Sequence, residues 1–206
     1  MRLLLIPISY LLGSIPFGWL IAKLAKGVDI RKIGSGATGA TNTYRATGIR
    51  LALLAGVLDI LKAAVPTLLA VKKWPKEQRL HILVASAAIT GHTKSIFLGF
   101  HGGKAVSTTA GAAIALATGE KRLWSVIQVA TSGAIGAFTG SRGIVSVTSL
   151  TGTALAAIYS GLLVLQGKLS KVYGLGVITA VAYIWLMHRE NIQRLLRREE
   201  KSILGK

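Results

Sequence analysis

Long apolar blocks dominate this chain, and short polar stretches separate them. The blocks cover residues 3–22, 51–71, 82–100, 105–118, 123–140, 146–165 and 172–187. A run of about 20 apolar residues crosses a bilayer as a helix. The pattern therefore predicts an all-α, polytopic membrane protein with seven transmembrane helices, some short or broken. The 105–118 block is short, and 82–100 contains His92 and Lys94. The first block is too long for the apolar part of a cleaved leader and runs directly into a polar motif, so it is expected to stay as a span. No repeat, low-complexity tract or long linker interrupts the pattern, and residues 1–206 are expected to form a single domain.

Composition agrees with this reading. Of 206 residues, 51% are hydrophobic and 16% charged, and the mean hydropathy is +0.56. The formal net charge of +18 gathers between the blocks. A nucleic-acid interface needs a continuous basic patch with base-reading groups, which a polytopic chain has no room to build. Anionic lipid headgroups or a phosphorylated substrate account for the charge better. With the N-terminus outside, the cytoplasmic segments 23–50, 91–104, 141–145 and 188–206 carry 15 Lys/Arg against 9 in the outer segments. That bias predicts an inner-membrane protein with its N-terminus outside and its C-terminus cytoplasmic. Cysteine is absent, which removes thiolate chemistry. The four histidines lack a metal-binding spacing, so neither a metal nor another cofactor is expected.

Each cytoplasmic segment of this topology holds an unusual polar motif. Gly34-Ser35-Gly36-Ala37-Thr38-Gly39 fits G-x-G-x-x-G, but apolar spans flank it where a dinucleotide fingerprint requires a βαβ unit. Its glycines, Gly36 among them, allow backbone N–H groups to converge on an anion, and Ser35, Thr38, Thr41 and Asn42 add hydroxyl and amide donors. Arg45 adds a planar fork suited to phosphate. A re-entrant turn with a purely structural role is the alternative. Gly102-Gly103-Lys104 opens the 105–118 block, where backbone N–H groups at a helix N-terminus with a lysine beside them make an anion site; a lysine snorkelling to the headgroups fits equally well. Arg142 opens a third motif, in which Ser146 and Ser149 are three residues apart on one helical face. Hydroxyls in spans commonly bond only their own backbone. In the last motif His188, Asn191 and Arg194 share a face of a basic helix suited to the bilayer surface. Asp59 and Lys62, at i and i+3 within a span, read as a structural ion pair before a functional one.

Together these motifs resemble those of the bacterial acyl-phosphate:glycerol-3-phosphate acyltransferases, the PlsY family of seven-helix membrane enzymes. Residues 34–48 resemble G-S-G-N-x-G-A-T-N-x-x-R-x-x-G, residues 99–111 G-F-K-G-G-K-G-V-A-T, and residues 188–200 H-R-x-N-I-x-R-L-x-x-G-x-E. LLGSIPFG (11–18), GVDIRKIGSG (27–36) and LDILKA (58–63) are similar too, in order along nearly the whole chain. The resemblance implies transfer of an acyl chain from acyl phosphate to the 1-hydroxyl of glycerol 3-phosphate, giving lysophosphatidic acid and phosphate. By matching position, Ser35, Thr41, Arg45 and Lys104 would bind phosphoryl groups, and Ser149, His188 and Asn191 would line the same site.

An activated acyl phosphate needs no covalent acyl-enzyme, which agrees with the absence of cysteine and of a Ser-His-acid arrangement. The chain departs from the family pattern at Ala37 (Asn in the family), His101 (Lys), Ala105 (Gly) and Arg198 (Gly), and one extra residue separates Arg142 from Ser149. These departures leave open a relative with the fold but weakened catalysis. A carrier of organic anions is a further alternative. It would need anion sites near mid-membrane, whereas these motifs gather at one face.

Overall fold

The computed structural model describes residues 2–119 and 143–203, and every helix or strand element among them is helical. The predicted span 123–140 and the candidate Arg142 lie outside the described residues. The chain divides into two compact units, Met1–Gly119 and Glu120–Lys206.

The first unit contains α1 (Leu5–Ser14), α2 (Phe17–Lys26), α3 (Ala40–Thr47), α4 (Ile49–Lys73), α5 (Gln78–Thr93) and α6 (Val106–Gly119). The first predicted span is a broken helix. Pro16 cannot donate a backbone hydrogen bond, and Ile15 leaves the helical conformation with ψ 115°. In an apolar slab each carbonyl freed by such a break must find a donor. Ser95 Oγ donates to the Ser14 carbonyl at 2.6 Å, and Lys62 Nζ donates to the Ile15 carbonyl at 2.8 Å. The predicted 82–100 span is shifted: α5 ends at Thr93, and a 3-10 turn, Ile96–Leu98, follows. Gly99 and Phe100, at φ 64° and 63°, take the chain out of helical geometry.

Helix α4 shows how a membrane span is patterned. Its buried face is small or polar (Ala52, Ala55, Asp59, Lys62, Ala63, Thr67), while Leu53, Leu54, Val57, Leu61 and Val65 are exposed. Without water between helices, close backbone approach does the work of association. A side chain on Gly13 would strike the Ala88 carbonyl, one on Gly91 the Tyr10 carbonyl, and one on Gly111 the Ile60 carbonyl. These contacts seat α1 on α5 and α4 on α6.

In the second unit, α7 (Val145–Leu165) and α8 (Lys171–Met187) form a hairpin. Gly167, at φ 65°, turns the chain, and Ser170 Oγ caps α8 by accepting from the Tyr173 N–H at 3.2 Å. Trp185 Nε1 donates to Thr153 Oγ1 at 3.1 Å across the pair. The short α9 (Arg189–Leu196) leaves α8 at 61°.

By length and composition, residues Arg2–Lys26, Ile49–Lys73 and Val145–Leu165 can each cross a bilayer, and α8 with α9 makes a fourth if the bent pair is one span. The 16-residue α5 and 14-residue α6 reach only about 20–24 Å at 1.5 Å per residue, short of a core about 30 Å thick.

Replacing Gly91 with leucine is expected to lower the melting temperature of detergent-solubilised protein, because overpacking of this kind typically costs about 1–3 kcal/mol. An unchanged melting curve would mean that α1 and α5 do not meet here.

Candidate active site

The first motif is shaped from below by a charged cap. Asp29 accepts from the Arg31 N–H at 3.0 Å and so starts the turn Ile30–Lys32. Arg31 also closes on the Asp29 carboxylate with its side chain at 2.6 Å, Trp19 Nε1 donates to it at 3.1 Å, and the guanidinium lies 5.7 Å from the Trp19 ring centre. The Arg31 side chain, helped by its backbone N–H and by Trp19, holds the Asp29 carboxyl well below the usual carboxylate range against the opposing effect of desolvation.

Gly34 and Gly36 follow in the left-handed region, at φ 54° and 69°, which L-residues with a Cβ occupy only at a cost. Gly34 also needs its bare Cα for space. A Cβ there would lie 2.5 Å from Asn42 Oδ1 and 3.1 Å from Arg45 Cδ. Gly18 on α2 serves the same end, since a side chain there would strike the Thr38 carbonyl.

Asn42 corrects the expectation that its amide faces a ligand. It is 1% exposed, and Nδ2 donates to the Ile30 carbonyl at 2.7 Å and the Ile33 carbonyl at 2.9 Å. Both amide hydrogens are thus committed to holding the loop against α3. Ser35 and Arg45 are exposed and Thr41 is half-buried. No carboxylate among the described residues pairs with Arg45. The loop therefore presents a cation beside glycine-rich backbone.

The second motif folds back onto the end of α5. Gly103 N–H donates to the His92 carbonyl at 3.1 Å, so this N–H is already engaged and does not serve a ligand as the sequence suggested. A side chain on Gly102 would strike that carbonyl, and one on Gly103 would strike His92 Nε2. Helix α6 begins when Thr109 N–H bonds to the Ala105 carbonyl at 2.8 Å. The N–H groups of Val106, Ser107 and Thr108 precede that bond in the first turn, the part of a helix suited to an anion. Lys104, half-buried, stands just before them. Ala105 takes φ 60°, so its departure from the family glycine places an L-residue in a glycine conformation.

In the second unit His188 sits at the α8–α9 bend, 3% exposed, with Nδ1 2.8 Å from the Ile184 carbonyl. A carbonyl only accepts, so Nδ1 carries the proton and Nε2 is the basic nitrogen of the neutral ring. Ser149 donates to the Val145 carbonyl of its own helix at 3.0 Å, the backbone role considered for it above. The residue that sequence reasoning missed is Glu200, which Ser146 of the third motif meets. Ser146 Oγ at 2.9 Å, Asn191 Nδ2 at 2.5 Å and Arg194 Nε at 2.6 Å all donate to the Glu200 carboxylate. Its place as the terminal acid of the 188–200 pattern was the available signal. Burial pushes the Glu200 carboxyl up, but Arg194, Asn191 and Ser146 together outweigh it and hold the group below its ordinary value. Arg198, two residues before, has φ 60° and, like Ala105, occupies a glycine position of the family pattern.

Helices of membrane-spanning length carrying cationic, glycine-built turns define the class: an integral membrane protein with turns suited to anionic groups. A family model described as glycerol-3-phosphate acyltransferase matches residues 3–198. The glycerol-3-phosphate acyltransferase of Anaeromyxobacter sp. (strain Fw109-5) is 42% identical, covering 98% of this chain and 96% of its own. That of Roseiflexus sp. (strain RS-1) is 40% identical, covering 93% and 90%. A crystal structure of PlsY (YgiH), an integral membrane glycerol 3-phosphate acyltransferase, in its glycerol 3-phosphate form matches with a TM-score of 0.84 at 36% identity, over 98% of this chain and 95% of that one. The lysophosphatidic acid form matches with a TM-score of 0.81. The chain belongs to the glycerol-3-phosphate acyltransferase family and is a membrane acyltransferase.

The three donors around Glu200 favour its charged form in the folded protein, so this contribution to stability is present above the ordinary carboxyl value of 4.5 and lost as pH falls through the lower folded value. The melting temperature of Glu200→Gln is expected to lie below wild type near neutrality, with the gap closing in acid. A gap independent of pH would contradict the assignment.

Proposed function

We infer that this enzyme transfers an acyl chain from acyl phosphate to the 1-hydroxyl of glycerol 3-phosphate, releasing lysophosphatidic acid and inorganic phosphate. The observation that carries the reading is the family match through residues 3–198, which takes in the motifs around Arg45, Lys104 and Ser149 and reaches Arg198 in the last. The match runs through both compact units, which supports treating them as one catalytic domain.

Both substrates are anionic, and the carbonyl of an acyl phosphate is already activated. The hydroxyl oxygen attacks that carbonyl, the bond to the phosphate oxygen breaks, and the hydroxyl proton leaves to a base. No covalent acyl-enzyme is needed. The protein supplies alignment and stabilisation of charge on the carbonyl oxygen and the departing phosphate. Arg45, with Ser35, Gly36 and Thr41 beside it, and Lys104, with the first turn of α6, are assigned to phosphoryl oxygens. Asn42 and Gly102–Gly103 contribute by shaping those turns. His188, Asn191 and Ser149 are assigned to the reacting end, with His188 Nε2 or a substrate phosphate oxygen as the proton acceptor. Arg142 is assigned to phosphate binding by its place in the third motif.

Seven spans are assigned to the full chain, with the motif loops and C-terminus on the cytoplasmic side of the inner membrane and the N-terminus outside. The lysine and arginine bias supports this orientation.

Purified protein given acyl phosphate and glycerol 3-phosphate is expected to form lysophosphatidic acid and phosphate in equal amounts. Arg45→Ala and Lys104→Ala are each expected to lower kcat/KM by about 100-fold or more, the scale of losing one group aimed at developing charge, while melting normally. Near-normal turnover by either variant would remove that residue from the site.

A further inference from the structure

Two consecutive glycines precede Lys104, and glycine has more backbone freedom than any other residue. A cation mounted on such a segment holds its place only if something outside the segment fixes the glycines. His92 meets that need at two points: its carbonyl accepts the Gly103 N–H at 3.1 Å, and its ring edge lies where a Gly103 side chain would be.

The ring is itself held from behind. Nδ1 lies 3.5 Å from Asp59 Oδ1, and the same oxygen is 2.7 Å from Lys62 Nζ. Lys62 in turn donates to the Ile15 carbonyl at 2.8 Å and lies 5.7 Å from the Phe17 ring centre. His92, Asp59 and Lys62 are only 5%, 1% and 6% exposed, so water does not loosen the chain of contacts. It runs from the α1–α2 break through α4 and α5 to Gly103.

We propose that His92 is a positioning residue of the acyltransferase, which fixes the Gly102–Gly103–Lys104 turn and is anchored by the buried Asp59–Lys62 pair. It touches no reacting atom and acts through the placement of Lys104. A small displacement suffices for an effect, since misplacing a catalytic or binding group by about 1 Å can cost up to about 100-fold. This inference rests on the assignment of Lys104 to a phosphoryl group.

The test is a double-mutant cycle on His92 and Gly103 in the full-length protein, reading KM for each substrate and kcat. Gly103→Ala drives a methyl into the ring and is expected to raise the KM of one substrate about ten-fold, as contacting residues do when forced apart. His92→Ala is expected to raise the KM of that same substrate, with the other KM unchanged. In the His92→Ala background the methyl has room, so adding Gly103→Ala is expected to have little further effect. His92→Gln, which keeps a polar group towards Asp59, is expected to recover part of the loss and carries the cycle if His92→Ala does not fold. A fall in kcat in proportion to folded protein, with both KM values unmoved, would show a purely structural role and overturn the proposal. So would strictly additive effects. Near-normal activity of Lys104→Ala would overturn the underlying assignment as well, whereas an inactive Lys104→Ala with an additive cycle would overturn this inference alone.

Discussion

The buried ion pair between Asp59 and Lys62 is the interaction on which the first unit depends. Its ends are 2.7 Å apart, inside a helix whose opposite face exposes leucines and valines. Charges in such a place survive only when each is matched and its remaining hydrogen-bonding capacity is used. Lys62 uses one of its donors on the Ile15 carbonyl, and the carboxylate faces His92. The pair thereby stabilises two irregular backbone segments: the proline break in the first span and the glycine turn before α6. Irregular backbone is tolerated at membrane depth only where protein groups satisfy it, and here two side chains from one helix do so.

The same economy appears at the motif loops. Glycines at 34, 36, 102 and 103 are required as much by neighbouring protein atoms as by any ligand. Gly34 makes room for Asn42 and Arg45, and Gly103 for the His92 ring. The polar residues divide into those committed to holding the loops, such as Asn42 and Asp29, and the cations that the loops carry, Arg45 and Lys104. In the second unit Glu200 plays the holding part, gathering Ser146, Asn191 and Arg194. Stabilising charge on a substrate requires cations and donors kept in fixed places, and most of the polar chemistry seen here keeps them so.

Much of this was legible in the sequence. Apolar block length located α4, α7 and α8 to within two residues at each end, because bilayer thickness imposes a length that composition reveals. The 82–100 block misled because hydropathy does not register the turn at Lys94 and the left-handed Gly99 and Phe100. The Asp59–Lys62 pair was visible from its i, i+3 spacing. His92 as its third member was not, since it comes from another helix. Asn42 and Gly103 looked like ligand donors because residue type shows what a group can donate, whereas only the fold shows whether a nearby carbonyl already accepts it. Ala105 and Arg198 looked like losses of chemistry. Both sit at φ 60°, so each also introduces backbone strain, of order 1–2 kcal/mol for a residue with a Cβ in that region.

The most direct test of the central place given to the buried pair compares the melting temperatures of Asp59→Asn and of Asp59→Asn combined with Lys62→Met. Removing one member of a buried pair strands the other charge and typically costs about 3–5 kcal/mol, whereas replacing both with neutral groups avoids that penalty. The single variant is therefore expected to melt well below wild type, and the double variant to recover a large part of the loss. A single variant that melts like wild type, or a double variant that melts lower still, would contradict the account.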